Sequence, residues 1–428
     1  MIALSPSVKA DVSYDISAFG TLGYAISDES FNYLKYIDDE GTFAGESLFA
    51  TQLDINLNSK WKAVIQAKIE ADDSDESGLS TDLTWAFLSY RPVNDWLFRL
   101  GKLQVPGYLN SVNRDVGVTY DYIRLPAEFD VTSPVYNFVG AAITKTFLLD
   151  DSDIIVDLYG GRTEVDWRTY IGDDLSDGSY STGAIYTDVS IDIVGLSLTY
   201  QTNENTYLAG IHRANIINDS NEWVEETGYV DLTAVGSTGF YSNDAAHGTK
   251  TKKSFDMYLA NIGADIHLGH NIHLAAELAL RKTNDITTGV NSLNGYVSLK
   301  KRMDKWTPYI VYARTKTLSD DLKGYNEINN NQITYNSFFS QLPEPITPSD
   351  VTDINAGQHI IADSYQAYDQ YSIALGTSYK LSPTSVLKAE IMHVRVGNTS
   401  SLFDVATLDD ASSDYNITTL AVSYSFAF

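Results

Sequence analysis

Apolar and polar residues alternate with a period of two along most of this chain, and the final stretch shows the alternation most cleanly. In residues 418–428, TTLAVSYSFAF, positions Leu420, Val422, Tyr424, Phe426 and Phe428 fall on one face of an extended strand. Thr419, Ala421, Ser423, Ser425 and Ala427 fall on the other. An apolar last strand with an open edge invites aggregation, and pairing it with the first strand of a closed barrel removes that edge. The same two-faced pattern opens the chain. Tyr14, Ile16, Ala18, Leu22 and Tyr24 share one face of residues 12–27, opposite Asp15, Ser17 and Thr21.

The hairpin at 52–70 is the most explicit. Leu53, Ile55 and Leu57 alternate with Gln52, Asp54 and Asn56, and Asn58-Ser59-Lys60 makes the turn. Trp61, Ala63, Ile65, Ala67 and Ile69 then alternate with Lys62, Gln66, Lys68 and Glu70. The polar face carries amides and charges of both signs, as the lining of a water-filled lumen does. From there short turns and long loops take turns. The sequence predicts strands at 82–91, 96–104, 138–147, 154–162, 184–203 and 207–214. Further strands are predicted at 254–268, from 272 to the segment at 283–290, and at 291–301, 306–315, 368–381, 386–396 and 418–428. The long connections fall at 28–46, 72–81, 105–137, 163–183, 215–253, 283–290, 316–367 and 397–413. Short turns at one end and long loops at the other are the rhythm of transmembrane barrels.

The count is sixteen strands. Eighteen is the alternative if 215–253 and 316–367 each hide a hairpin, for example Gly228–Val235 with Gly239–Tyr241, or Gln332–Ser340. The expected fold is an all-β, transmembrane antiparallel barrel formed by 12–428 as one domain. Residues 1–11 form a lead-in, with Val8-Lys9-Ala10 loosely resembling a cleavage site. No separate plug domain is evident.

Composition narrows the classes. No run of 18 apolar residues exists, so no helix spans a membrane. A soluble β protein or a transmembrane barrel remains, since the barrel is the other structure that satisfies its backbone in lipid. The 29 Tyr, 16 Phe and 6 Trp suit two interfacial aromatic girdles. With no Cys, thiolate metal sites and Cys nucleophiles are excluded. A net charge of −27 argues against nucleic acid as a partner. The negative charge gathers in the predicted loops: Asp72, Asp73, Asp75 and Glu76; Asp173, Asp174 and Asp177; Glu222, Glu225 and Glu226; Asp409, Asp410 and Asp414.

Four features together resemble the Gram-negative outer-membrane porins over nearly the full length. They are the alternation itself, Arg99-Leu100-Gly101-Lys102 followed by the 105–137 segment, the run DQYSIALGTSYKLSPTSVLKAEIMHV at 369–394, and the terminal Phe428. The resemblance implies that 105–137, the third long loop, folds inward and narrows a pore. The segment has Pro126-Ala127-Glu128-Phe129 where enterobacterial general porins carry Pro-Glu-Phe-Gly, which leaves its inner geometry open. An inward fold would bring Arg114, Asp115, Asp121, Arg124, Glu128 and Asp130 towards the constriction, facing Lys62, Lys68, Glu70 and Arg99 on the wall. Rings of such charges set ion selectivity. The alternative is an ordinary external loop. Lys62 and Lys68 belong in the lumen, because lysine on the lipid face costs roughly 2–4 kcal/mol at mid-bilayer.

His267, His270 and His273 have ligand-like spacing, but the middle one falls in a turn, so convergence on one metal is not expected. No nucleophile is patterned beside a base, and no cofactor motif is present. The sequence thus points to a non-enzymatic outer-membrane channel for small hydrophilic solutes and ions, mildly cation-selective. Outer-membrane lipid and lipopolysaccharide are its surroundings, and the resemblance implies a homotrimer. A porin selective for a sugar, organic acid or peptide is the alternative, and a soluble secreted carbohydrate-binding β protein a more distant one.

Overall fold

The computed structural model of the chain describes residues 12–34, 36–284, 286–287, 289, 291–406 and 415–428. The lead-in at 1–11 and the loop acids Asp409, Asp410 and Asp414 lie outside them. Among the described residues, sixteen antiparallel strands close into one barrel. They are β1 (Ser13–Ser27), β2 (Leu48–Asn56), β3 (Trp61–Ala71), β4 (Leu79–Tyr90), β5 (Trp96–Gln104), β6 (Asn137–Leu148), β7 (Ser152–Ile171) and β8 (Gly183–Thr202). The second half comprises β9 (Thr206–Asn218), β10 (Ser254–Gly269), β11 (Ile272–Thr283), β12 (Ser292–Lys301), β13 (Trp306–Thr317), β14 (Tyr368–Ser382), β15 (Ser385–Ser400) and β16 (Asn416–Ala427).

Each strand pairs with its neighbours in sequence, and the ring closes between β1 and β16, with Phe19 opposite Ala427 and Ser27 opposite Thr419. Phe428 completes the seam through paired backbone hydrogen bonds of 2.8 Å with Ala18. The sixteen-strand ring has no open edge, which answers the aggregation problem posed by the apolar terminal strand. The turn between β10 and β11 holds both His270 and Asn271 at positive φ (52° and 61°), the conformation that matches strand twist in a two-residue hairpin.

The barrel is apolar outside, while its inner face mixes polar residues with apolar ones such as Val311, Met392 and Val394 that pack against the loops. On β16, Leu420 and Val422 are 53% and 54% exposed, whereas Thr419, Ser423 and Ser425 are buried against the interior. The exposed belt continues through Leu387, Leu375, Ile310, Val297, Leu278, Ile262, Ile211, Leu196, Leu158, Leu100, Leu88 and Ile65. At the short-turn end it is bordered by aromatic pairs: Trp61 with Tyr90 (4.4 Å between centroids), Trp96 with Phe98, and Trp306 with Tyr379 (4.6 Å). At the long-loop end, outward ion pairs mark the border, Arg162 with Asp192 (2.6 Å) and Arg213 with Asp256 (2.9 Å). An apolar band between such borders is the exterior of a barrel that meets hydrocarbon.

Two expectations are corrected. Eighteen strands are not formed: past the end of β9 at Asn218, the connection up to 253 adds no strand to the ring among the described residues, and holds two local two-stranded ribbons (Trp223–Glu226 with Lys250–Lys252, and Gly228–Val230 with Phe240–Ser242) with two 3-10 turns. The segment 316–367 is largely helical, with helices at Ser319–Asn329 and Pro348–Asp363, and 337–341 is a 3-10 turn in place of a hairpin. In addition, the predicted loop at 163–183 is strand over its first part, because β7 runs to Ile171, and the loop proper is confined to 172–182 before β8 starts at Gly183.

Candidate functional site

Segment 105–137 hydrogen-bonds to the inner face of the wall in sequence order. Ser197 on β8 donates to the Pro106 carbonyl (2.7 Å) and Asn261 on β10 to that of Gly107 (2.6 Å). The Leu109 amide donates to Glu277 on β11 (3.0 Å). Gly117 passes so close to β1 and β16 that a Cβ there would lie 2.4 Å from Ser425 Oγ and 2.7 Å from Thr21 Oγ1, so any larger residue would displace those side chains. The return path is held by Ser378 on β14 donating to Asp121 (2.7 Å), Lys388 on β15 donating to the Tyr122 carbonyl (2.5 Å), and Arg281 on β11 donating to that of Val131 (3.1 Å). Tyr122 and Phe129 complete the packing edge-on against Tyr309 and Tyr296.

The wall is therefore of two kinds. Along β10–β16 the inner face is covered: Asn294, Ser298, Thr315 and Ser425 have no exposure. Along β2–β7 it stays accessible: side chains of Lys62, Glu70 and Asp82 are 44%, 38% and 43% exposed, with Arg99 and Lys102 part-exposed. Water thus has access to the lumen between β2–β7 and the near side of the segment.

The predicted site residues divide accordingly. Lys68 bridges wall and segment, 2.9 Å from Glu70 and 3.6 Å from Asp115. Lys62 pairs with Asp54 (2.6 Å), Arg99 with Asp157 (3.0 Å), and Arg114 with Asp130 through two hydrogen bonds of 3.1–3.2 Å. These charges keep some contact with water. Asp121 turns to the covered wall, 3.5 Å from Lys300. The structure corrects the placement of two residues. Arg124 is buried against Glu46 (2.6 Å), and Glu128 is 1% exposed and accepts from Gln370 (3.0 Å). Both lie in the seam between segment and wall, where apolar packing excludes water, so neither reaches the accessible side. Glu46, Asp82, Lys102, Asp157 and Glu277 were not singled out from the sequence. Inner-face parity within the strands was the available signal for Asp157 and Glu277. His267 and His273 stack at 4.9 Å beside Glu204 and Asp265, with His270 apart in its turn.

The first long loop also reaches inward, since Tyr33 is fully buried and Asn32–Tyr33 pairs with Phe403–Asp404. At the long-loop end the helical connection between β13 and β14 reaches the β7–β8 hairpin. β7 and β14 are seven places apart in the ring of sixteen, so this contact crosses the mouth. Asp353 accepts from the Ser176 amide (3.1 Å), Asp363 from the Gly172 amide (2.9 Å), and Gln366 donates to the Arg168 carbonyl (2.8 Å). The rim acids are engaged locally. Asp173 pairs with His359 (3.1 Å), and Glu225 and Glu226 with Lys252 and Lys250.

This cap is expected to dock most tightly in acid. The hydrogen bond to Asp173 holds His359 above its usual value against the opposing effect of burial, and Asp363 nearby adds to the rise. Burial pushes Asp363 up to about 7, reinforced by Asp173 and opposed by the Gly172 amide and His359. Both groups bind protons more tightly docked than undocked. Docking therefore weakens as pH rises from the ordinary carboxylate range through about 7 for Asp363, and above the ordinary histidine range for His359. Amide exchange over Ile360–Tyr365, corrected for intrinsic rates, should show less protection at pH 8 than at pH 5.5. Asp363→Asn should flatten most of that difference, and equal protection at both pH values would refute the linkage.

No protein-family model matches the sequence, and comparison with curated proteins gives no match. Solved structures do match in fold. A loop-deletion form of OmpT, an outer membrane protein of Vibrio cholerae, aligns with TM-score 0.51 at 10% identity, covering 97% of this chain and 99% of that one. An anion-selective porin from Comamonas acidovorans aligns with TM-score 0.52 at 11% identity, covering 98% and 100%. The trimer form of the Vibrio protein aligns with TM-score 0.50 at 10% identity, covering 97% and 99%. The fold is that of the sixteen-strand outer-membrane porins.

Proposed function

We propose that this chain is a passive outer-membrane channel for small hydrophilic solutes and ions, with segment 105–137 as its constriction and no chemical turnover. The observation that carries this reading is the division of the lumen. One side is filled by the segment, and the other keeps accessible charges of both signs inside an apolar-sided barrel. Acids Asp54, Glu70, Asp82, Asp115, Asp130 and Asp157 stand close to equal in number with bases Lys62, Lys68, Arg99, Lys102 and Arg114. Such a balance supports a weak net ion preference, tipped to cations by the acidic rim and shrinking as salt rises. Purified protein added to planar bilayers should give ohmic conductance steps, and a reversal potential in a KCl gradient should show the mild cation preference. Silent bilayers at protein densities that insert a known porin would contradict the reading.

The bacterial outer membrane is the proposed location, with lipid and lipopolysaccharide around the belt. The trimer form of the Vibrio protein supports a homotrimer by analogy of fold. Placing Val422, at the middle of the β16 apolar face, in contact with lipid makes a separate expectation. Val422→Arg should destabilise the barrel in lipid vesicles by about 2–4 kcal/mol. Urea unfolding followed by tryptophan fluorescence measures this, and a change near zero would place the residue away from hydrocarbon.

A selective channel is the second reading. It is favoured by one observation, the helical cap docked across the mouth, which leaves a defined cleft beneath it.

A further inference from the structure

Beneath the cap, between the outer ends of β7 and β15 and the two helices, lies a cavity of about 710 Å3. That falls in the ~300–1,000 Å3 range of small-molecule sites. Its lining is mostly polar yet carries little uncompensated charge. Arg168 is paired with Asp404, Asp173 with His359, and Asp363 is buried against the Gly172 amide. What the lining offers instead is side-chain hydrogen-bonding capacity that the protein leaves unused. Asn329, Gln332, Asn398 and Thr399 all border the cavity, and none has a side-chain hydrogen bond among the described residues. They come from different elements: Asn329 ends the first cap helix, Gln332 follows it, and Asn398 and Thr399 lie on β15. Beside them the rings of Phe403 and Tyr415 pack at 5.4 Å.

We propose that this cleft binds a neutral oligosaccharide. An amide presents a donor and an acceptor on one rigid plane, which matches a pair of adjacent sugar hydroxyls. Aromatic rings supply an apolar surface for the C–H face of a pyranose. A carboxylate or phosphate ligand would need a spare cation, and the cavity's arginine is already committed to Asp404. A peptide would need counter-charges for its termini. The site lies at the mouth, ahead of the constriction, so it would concentrate a solute before passage. This assignment rests on the channel reading only for that role; binding itself does not require a pore.

Binding and conduction are therefore measured separately on the full-length protein. The first arm is calorimetric titration of the detergent-solubilised protein with maltotriose and with raffinose, using citrate as an anionic probe. The second records single-channel current in planar bilayers with the same sugars, and with a polyethylene glycol of similar hydrodynamic size. Saturable binding of at least one trisaccharide is expected, with current interruptions that the glycol does not produce. Asn329→Ala combined with Asn398→Ala should raise the half-saturating concentration about tenfold, as two lost neutral hydrogen bonds imply, while open-channel conductance is kept. Absence of heat and of interruptions with both sugars overturns the site, as does equal block by the glycol, stronger binding of citrate, or an unchanged half-saturation in the double variant. Conductance without sugar binding removes the site and keeps the channel; sugar binding without conductance removes the channel and keeps the site.

Discussion

A channel carrying Lys62→Gln and Lys68→Gln together is expected to become about threefold or more selective for cations over anions in 0.1 M KCl. The two lysines lie on the accessible side of β3, paired with Asp54, Glu70 and Asp115. Removing them leaves three acids facing water without their partners. A unit charge about 5 Å from an ion is worth about 0.8 kcal/mol in bulk water before screening. With opposite effects on cation and anion, two such changes survive partial attenuation. The Debye length is about 10 Å at 0.1 M and about 3 Å at 1 M, so the shift should largely vanish at the higher concentration. Asp115→Asn should move the reversal potential the other way. Glu128→Gln should leave it unchanged, because that carboxylate is sealed between segment and wall. A reversal potential insensitive to the lysine pair, or one that follows Glu128, would relocate the ion path to the opposite side of the segment.

That contrast between Lys68 and Glu128 marks how far the sequence could be read. Alternation assigns each residue to a face, and in the barrel it placed Lys62, Lys68 and Arg99 inside before any contact was known. It also explains one error of extent. Beyond Arg162 the strand β7 goes on alternating with its polarity reversed. Val165 and Trp167 now pack inward, while Glu164 and Asp166 face out. Above the hydrocarbon the exterior meets water and the interior meets other loops, so a search for an apolar outer face stops too early. The cap helix carried a readable start signal: Thr347 and Asp350 form a reciprocal capping box around Pro348 at the first helical turn. Inside the lumen, parity cannot tell which charges stay wet. That depends on where two long loops settle, through contacts such as Tyr33 beside Gln370 and Gly117 beside Ser425, hundreds of residues apart in sequence.

The seam that hides Arg124 is where a single substitution should do the most damage. Its guanidinium lies 2.6 Å from Glu46, and Glu390 on β15 adds a second attraction while its own carboxylate accepts from Tyr309 (2.8 Å). Three long-range elements meet there: the first long loop, the constriction segment and the wall. Removing one member of a buried ion pair leaves the other charged without solvent or partner, at a cost on the order of 3–5 kcal/mol. Arg124→Met keeps much of the apolar stem and deletes the charge, so it isolates that electrostatic loss. The strand ladders do not depend on Arg124, so the loss should fall on docking of the segment. The barrel's thermal unfolding should move little, while amides across Ile123–Asp130 lose exchange protection and the open-channel current becomes noisier. Adding Glu46→Gln in the same chain removes the stranded acid and should restore most of the protection, since a neutral pair of similar volume often costs nothing relative to the buried ions. Glu46→Gln alone should be milder, because Arg124 keeps Glu390. Full protection in Arg124→Met would mean that the Lys388 and Arg281 side chains, donating to the Tyr122 and Val131 carbonyls, hold the segment without help from the ion pair, and that the buried charges set its position only.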